Sequence, residues 1–110
     1  MCYGKHSRHL LNNMHQITPK ELKQLIADGK QPLLLDVRED WEREAYNIGG
    51  MHIPMSELME HLGEIPQKED VIVYCEKGIR STILIQRLEG LGYHNLYNLS
   101  GGMKAWKETL

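Results

Sequence analysis

The sequence predicts an α/β protein built on a parallel sheet with helices on both faces. Three observations predict it. Short apolar runs alternate with amphipathic helical patterns along the whole chain. The triple leucine Leu33-Leu34-Leu35 does not alternate with polar residues, as expected of a strand covered on both sides. No internal repeat or low-complexity linker interrupts the alternation, so the 110 residues read as one domain from about residue 15 onward, after a polar tail over 1–14.

Met14 to Ile17 is a weak strand. Thr18 then sits at a helix N-cap, with Pro19 at the first helical position and Glu21 at the third. That is a capping box, with Ile17 and Leu22 placed for a hydrophobic staple. Leu22, Leu25 and Ile26 make the expected buried stripe, and Gly29 terminates the helix. Pro32 to Arg38 is the next strand. Glu39 and Asp40 favour a helix start by charge, and a short helix to Ala45 carries Trp41 and Ala45 on one side. Gly49-Gly50 is a turn, and Met51-His52-Ile53-Pro54 is a strand ended by proline. Ser56 is placed to cap a helix that buries Leu58, Met59 and Leu62. A polar connection over 63–70 leads to the run Val71-Ile72-Val73-Tyr74. The helix after it is expected to bury Ile79, Ile83, Leu84, Leu88 and Leu91 and to close at Gly90 and Gly92. Asn95 to Leu99 is the last strand. Ser100-Gly101-Gly102 turns into a helix with Met103, Trp106 and Leu110 on one face, both tryptophans being expected as packing residues.

Composition excludes several classes. The net charge of −2 leaves no nucleic-acid footprint, and no apolar run is long enough to span a membrane. The N-terminus has basic residues without an apolar core behind them, so it is not expected to be a secretory signal. Two cysteines far apart, Cys2 in the tail and Cys75, fit a free thiol in a reducing, cytoplasmic setting better than a structural disulfide. The six histidines are scattered, only His6 and His9 lying close together, and show no metal-ligand spacing. Neither a metal nor a cofactor is expected.

The stretch with chemistry is Val71 to Ser81. A buried strand delivers Cys75 to a short loop, Glu76-Lys77-Gly78, which opens into a helix at Ile79-Arg80-Ser81. Successive loop N–H groups and a helix N-terminus favour negative charge, whether on a thiolate, a persulfide or a bound oxyanion. Free cysteine ionises near pH ~8.5, and activated sites bring this to roughly 3.5–7.5. Lys77 supplies a point charge at the mouth or is simply a solvated loop lysine. Gly78 lets the N–H groups converge. Arg80 faces the sulfur or pairs inward with a carboxylate. Ser81 caps the helix, the more common role, or donates to the sulfur. In a parallel sheet the site lies beyond the carboxyl ends of the strands, where Cys75, Asp36, Arg38 and Pro54 all fall. Asp36 and Arg38 read first as an internal ion pair that anchors the loop, with Arg38 shaping the rim.

Four motifs in order and spacing give the chain a resemblance to single-domain rhodaneses, a family of sulfurtransferases. They are Asp36-Val37-Arg38-Glu39, then Gly49-Gly50-Met51-His52-Ile53-Pro54, then Cys75-Glu76-Lys77-Gly78-Ile79-Arg80-Ser81, then Leu99-Ser100-Gly101-Gly102-Met103-Lys104-Ala105-Trp106. The resemblance implies a three-layer α/β/α domain with a five-stranded parallel sheet. It implies Cys75 as the nucleophile, within an active-site loop of Glu76, Lys77, Gly78, Ile79, Arg80 and Ser81. The implied activity moves a sulfane sulfur from a donor (thiosulfate or a persulfide), through a persulfide on Cys75, to a thiol, cyanide or a protein acceptor.

Two departures stand out. Tyr46-Asn47-Ile48 replaces the Gly-His-Ile of many rhodaneses and is similar to rhodanese domains fused to cofactor-activating enzymes. Glu76 stands where thiosulfate users often carry a base, and a carboxylate there opposes anion binding. The rival readings are a persulfide carrier, a non-catalytic binding module, and a phosphatase or arsenate reductase. Loops of the phosphatase kind are one residue longer than the four residues between Cys75 and Arg80, and usually follow a histidine rather than Tyr74. The sequence does not specify an oligomeric state or a role for Cys2.

Overall fold

The structure is a computed structural model and describes residues 15–109, so the tail with Cys2, His6 and His9, and the terminal Leu110, lie outside the described residues. Five parallel strands form one sheet: β1 (His15–Ile17), β2 (Leu33–Asp36), β3 (Met51–His52), β4 (Val71–Tyr74) and β5 (Leu96–Leu99), in the order β1-β5-β4-β2-β3. Among the described residues four α-helices cover it: α1 (Pro19–Ala27), α2 (Asp40–Ala45), α3 (Ile79–Glu89) and α4 (Gly102–Glu108), with a 3-10 segment over Met55–Glu64. The expected three-layer architecture is present. Among the described residues no helix is long and apolar enough to cross a membrane.

Alternation along each strand divides the core in two. Leu34, Ile72, Tyr74 and Leu99 pack with Leu22 of α1 and Met103 of α4. Leu35, Val73 and Cys75 pack on the opposite face with Leu84, Ile85 and Leu88 of α3, and with Leu58. Cys75 therefore continues the face that α3 covers. The chain runs from β2 outward to β3, then back past β2 to β4. The crevice above β2 and β4 is the switch point where sites form in such sheets.

Several local expectations change. The predicted capping box is present: Glu21 N–H donates to Thr18 Oγ1 at 3.1 Å and Thr18 N–H to Glu21 Oε1 at 2.8 Å. The stripe beyond it is narrower than expected, because Ile26 is exposed and only Leu22 is fully buried. In α3 the buried apolar positions are Leu84, Ile85 and Leu88, while Ile79 and Ile83, and Leu91 just past the helix, are exposed. An apolar helix offers more than one stripe, and only the neighbouring sheet selects one. Residues 55–64 form a 3-10 segment with Pro54, not Ser56, at its N-cap. Its backbone breaks from helical geometry at His61, and Met59 faces solvent. The third strand stops at His52, although Ile53 N–H still donates to Asp36 O at 3.0 Å. Trp41 is 71% exposed and is not a packing residue, whereas Trp106 is partly buried against the α1–α4 side of the core.

A close backbone approach joins α4 to the loop after β4. Met103 N–H donates to Cys75 O, and Lys104 N–H to Glu76 O, both at 2.9 Å. Gly102 makes this possible. Its φ is +62°, and a Cβ there would lie within 2.6 Å of the Glu76 carbonyl group. Gly102→Ala is expected to lower unfolding free energy by about 1–3 kcal/mol through strain and collision. Gly63→Ala, with nothing within 4 Å of the new Cβ, should stay within about 0.5 kcal/mol of wild type. Urea melts of the two variants check this.

Candidate active site

β4 ends at Tyr74, and Cys75 begins the turn into α3. Gly78 is the N-cap of that helix with φ +87°, a left-handed value that aims its N–H back toward the cysteine. Gly78 N–H donates to Cys75 Sγ at 3.1 Å, and Ser81 N–H donates to the same sulfur at 3.3 Å. These donors favour negative charge on sulfur, as the N-terminus of α3 does. Cys75 is 1% exposed, yet it lines a cavity of about 370 Å³ with Glu42, Glu76, Lys77, Ile79 and Arg80. The thiol is thus shielded but reachable.

Ser81 is not the helix cap. It sits in the first turn of α3 with its Oγ 3.3 Å from Cys75 Sγ. Its hydroxyl donates to Oδ1 of Asn98, a residue 3% exposed on β5. Asn98 Nδ2 donates in turn to Gln16 Oε1 at 3.0 Å, and Ser100 Oγ donates to the same oxygen at 2.9 Å. Ser81 Oγ thus stands between Cys75 Sγ and Asn98 Oδ1, within hydrogen-bond reach of both.

The two arginines are both committed to carboxylates. Arg80 pairs inward: Nη1 and Nη2 donate to Glu42 Oε1 and Oε2 at 3.0 and 2.8 Å. That fork lowers the Glu42 carboxyl below its ordinary range against the opposing effect of burial. The same hydrogen bond raises Arg80. Arg38, 1% exposed, grips Asp36 through Nε and Nη2 at 2.9 and 3.0 Å, and Nη2 also donates to Tyr46 O at 2.6 Å. Burial alone would lower Arg38, but the Asp36 hydrogen bond and charge outweigh it, and the net direction is up. Removing either partner of such a buried pair generally costs ~3–5 kcal/mol. Arg38 Nη1 reaches Glu76 Oε1 at 3.3 Å, which holds the loop carboxylate beside the cavity. Tyr74, beneath Arg38, is pushed up to about 12 by burial and stays protonated, donating to Gly49 O at 2.9 Å.

The structure thus gathers Cys75, Glu76, Lys77, Ile79 and Arg80 around one cavity, with Gly78 and Ser81 against the sulfur. Asp36 is sealed beneath and does not line it. Arg38 opens instead onto a second cavity of about 300 Å³, which Trp41, Tyr46 and Lys107 also line. Sequence reasoning missed Glu42, Asn98 and Gln16. A polar Asn98 amid Leu96, Tyr97 and Leu99 was the available signal, since a buried amide needs partners. Nothing local marked Glu42 as the partner of Arg80.

Similarity to known proteins bears on the family and the fold. The family model described as Rhodanese-like domain matches residues 18–109. A sulfurtransferase of Allochromatium vinosum is 34% identical over 94 residues, covering 84% of this chain and 88% of that one. The thiosulfate sulfurtransferase GlpE of Coxiella burnetii is 31% identical over 93 residues, 84% and 86% of the two chains. The crystal structure of a rhodanese-like domain protein from Staphylococcus aureus superposes with a TM-score of 0.78 at 33% identity, over 84% of this chain and 91% of that one. Other relatives are longer. The chain spans 25% of the probable adenylyltransferase/sulfurtransferase MoeZ of Mycobacterium tuberculosis, to which it is 30% identical over 97 residues. The chain belongs to the rhodanese-like domain family, a family of sulfurtransferases.

Two outcomes test the geometry. Asn98→Ala frees the Ser81 hydroxyl to donate to sulfur. Alkylation of Cys75 by iodoacetamide at neutral pH should then speed up about threefold, a hydrogen bond to the anion partly offset by lower nucleophilicity. In a Ser81→Ala background the same change should have no effect. For the Glu42–Arg80 pair, a lowered carboxyl means stability present above its ordinary value of 4.5 and lost as pH falls through the lowered one. The gap in melting temperature between wild type and Glu42→Gln should be full at neutral pH and close as acid is added below that value.

Proposed function

We propose that the protein is a sulfurtransferase that carries a sulfane sulfur on Cys75. The observation that carries this is the pair of backbone N–H groups converging on a single shielded sulfur at the end of a cavity. The Cys75 thiolate attacks the outer sulfur of a donor. The donor's S–S bond breaks, and its electron pair leaves with the donor remnant: sulfite from thiosulfate, or a thiolate from a persulfide. An acceptor thiolate or cyanide then attacks the outer sulfur of the Cys75 persulfide and restores the Cys75 thiolate. No external oxidant or reductant is consumed. The same N–H groups serve thiolate and persulfide, so the cradle needs no rearrangement between half-reactions.

The charges around the cavity bear on the donor. Arg80 is occupied by Glu42 and Arg38 by Asp36 and Glu76, which leaves Lys77 as the exposed cation at the loop. That balance favours a persulfide over thiosulfate, a small dianion. A carrier role is supported by the 1% exposure of Cys75, since a shielded persulfide is protected from stray thiols. The relative YrkF of Bacillus subtilis, 28% identical over 104 residues and 56% covered, is described as a putative sulfur carrier protein. A free thiol at the centre of the chemistry suits a reducing compartment such as the cytoplasm.

Intact mass spectrometry after incubation with thiosulfate or a persulfide donor should show a gain of one sulfur atom on wild type and none on Cys75→Ser. Thiol or cyanide should then remove it. Hydrolysis of an aryl phosphate by a wild type that takes up no sulfur would overturn the reading in favour of a phosphatase.

A further inference from the structure

The cavity at Cys75 shares two walls, Glu42 and Glu76, with the cavity onto which Arg38 opens, so the two adjoin as one cleft. At about 370 and 300 Å³, each alone reaches the size at which pockets hold drug-sized molecules. Neither a lone sulfur atom nor a thiosulfate ion needs such room. The two shared carboxylates are already engaged, Glu42 by Arg80 and Glu76 by Arg38. Farther along the cleft stands Lys107, an exposed lysine whose ammonium lies 5.1 Å from the centre of the Tyr46 ring. Beside it are Trp41, 71% exposed, and Tyr46, 40% exposed. Core packing does not account for an indole so open to water, and large apolar surface next to a reactive group marks a recognition site.

We propose that this second cavity is a subsite for the non-reacting part of an organic persulfide donor: a short, peptide-like thiol whose carboxylate pairs with Lys107 while its chain lies over Trp41. The assignment rests on the sulfur-transfer reading and names its donor class. The outer sulfur of R–S–SH meets the Cys75 thiolate, the donor's S–S bond breaks, and R–S⁻ departs with the bonding pair and takes a proton from water. The body of the donor supplies binding energy remote from the reacting sulfurs, which a dianion close to Glu76 cannot do.

The test compares three donors on the intact chain: glutathione persulfide, 2-hydroxyethyl persulfide, which carries no carboxylate, and thiosulfate. With Lys107→Ala or Trp41→Ala, the concentration of glutathione persulfide giving half-maximal loading of Cys75 should rise about three- to tenfold, as expected for one ion pair or one stacking contact. The maximal loading rate should hold, the other two donors should be unaffected, and Lys107→Arg should retain wild-type behaviour. An unchanged response to glutathione persulfide, or an equal loss with all three donors, overturns the subsite and leaves sulfur transfer standing. Failure of wild type to load sulfur from any of the three overturns both.

Discussion

The site depends on a backbone contact between two segments far apart in sequence. The first N–H groups of α4 close onto the carbonyls of Cys75 and Glu76. Those carbonyls belong to the peptide units that precede the Gly78 turn. Fixing them fixes where the N–H groups of Gly78 and Ser81 point, and both point at sulfur. A Cβ at Gly102 would collide with this backbone, and one at Gly78 would come within 3.0 Å of Gly101 N. The Gly101-Gly102 motif is therefore part of the thiol's cradle, although it touches no sulfur itself. The helix end also uses otherwise unpaired amides to satisfy buried carbonyls, so one contact answers two needs.

A second layer of constraint is ionic. Asp36 and Arg38 both leave the end of β2, and the pair is buried. Its geometry lets one guanidinium bind Asp36, the Tyr46 carbonyl and Glu76 together. The α2 side of the cleft is tied to α3 by the forked Glu42–Arg80 pair. Charge that would otherwise act on a substrate is thus used to hold walls in place. Among the described residues, two exposed lysines without a carboxylate partner stand at the two ends, Lys77 at the loop and Lys107, over the Tyr46 ring, at the outer cavity. A cleft with neutralised middle walls suits a molecule with an uncharged body better than a compact dianion.

Beneath the sulfur lies a chain of polar groups crossing the sheet. Parallel register sets Gln16 opposite Asn98, and Asn98 opposite Val73, so all three share the face that carries Cys75. Ser81 and Asn98 are deeply buried yet mutually satisfied, which is the condition for polar groups to persist in a core. The network ties the orientation of one hydroxyl at the sulfur to groups two strands away.

The sequence by itself determined the layer architecture, the place of Cys75 at a strand end and the glycine that turns the loop. Each is local: strand and helix periods differ, and β-branched runs, caps and positive-φ glycines act over a few residues. It also indicated the Asp36–Arg38 pair, whose members are two residues apart. Only the tertiary structure decided which helix stripe is buried, leaving Ile79 and Ile83 exposed where periodicity alone allowed either. It likewise gave Arg80 to Glu42 instead of the sulfur, made Ser81 a neighbour of the thiol through Asn98, and set Trp41 beside Lys107. Those partners lie 17 to 66 residues apart along the chain. Nothing in a local pattern encodes which surfaces the sheet's crossovers will bring face to face.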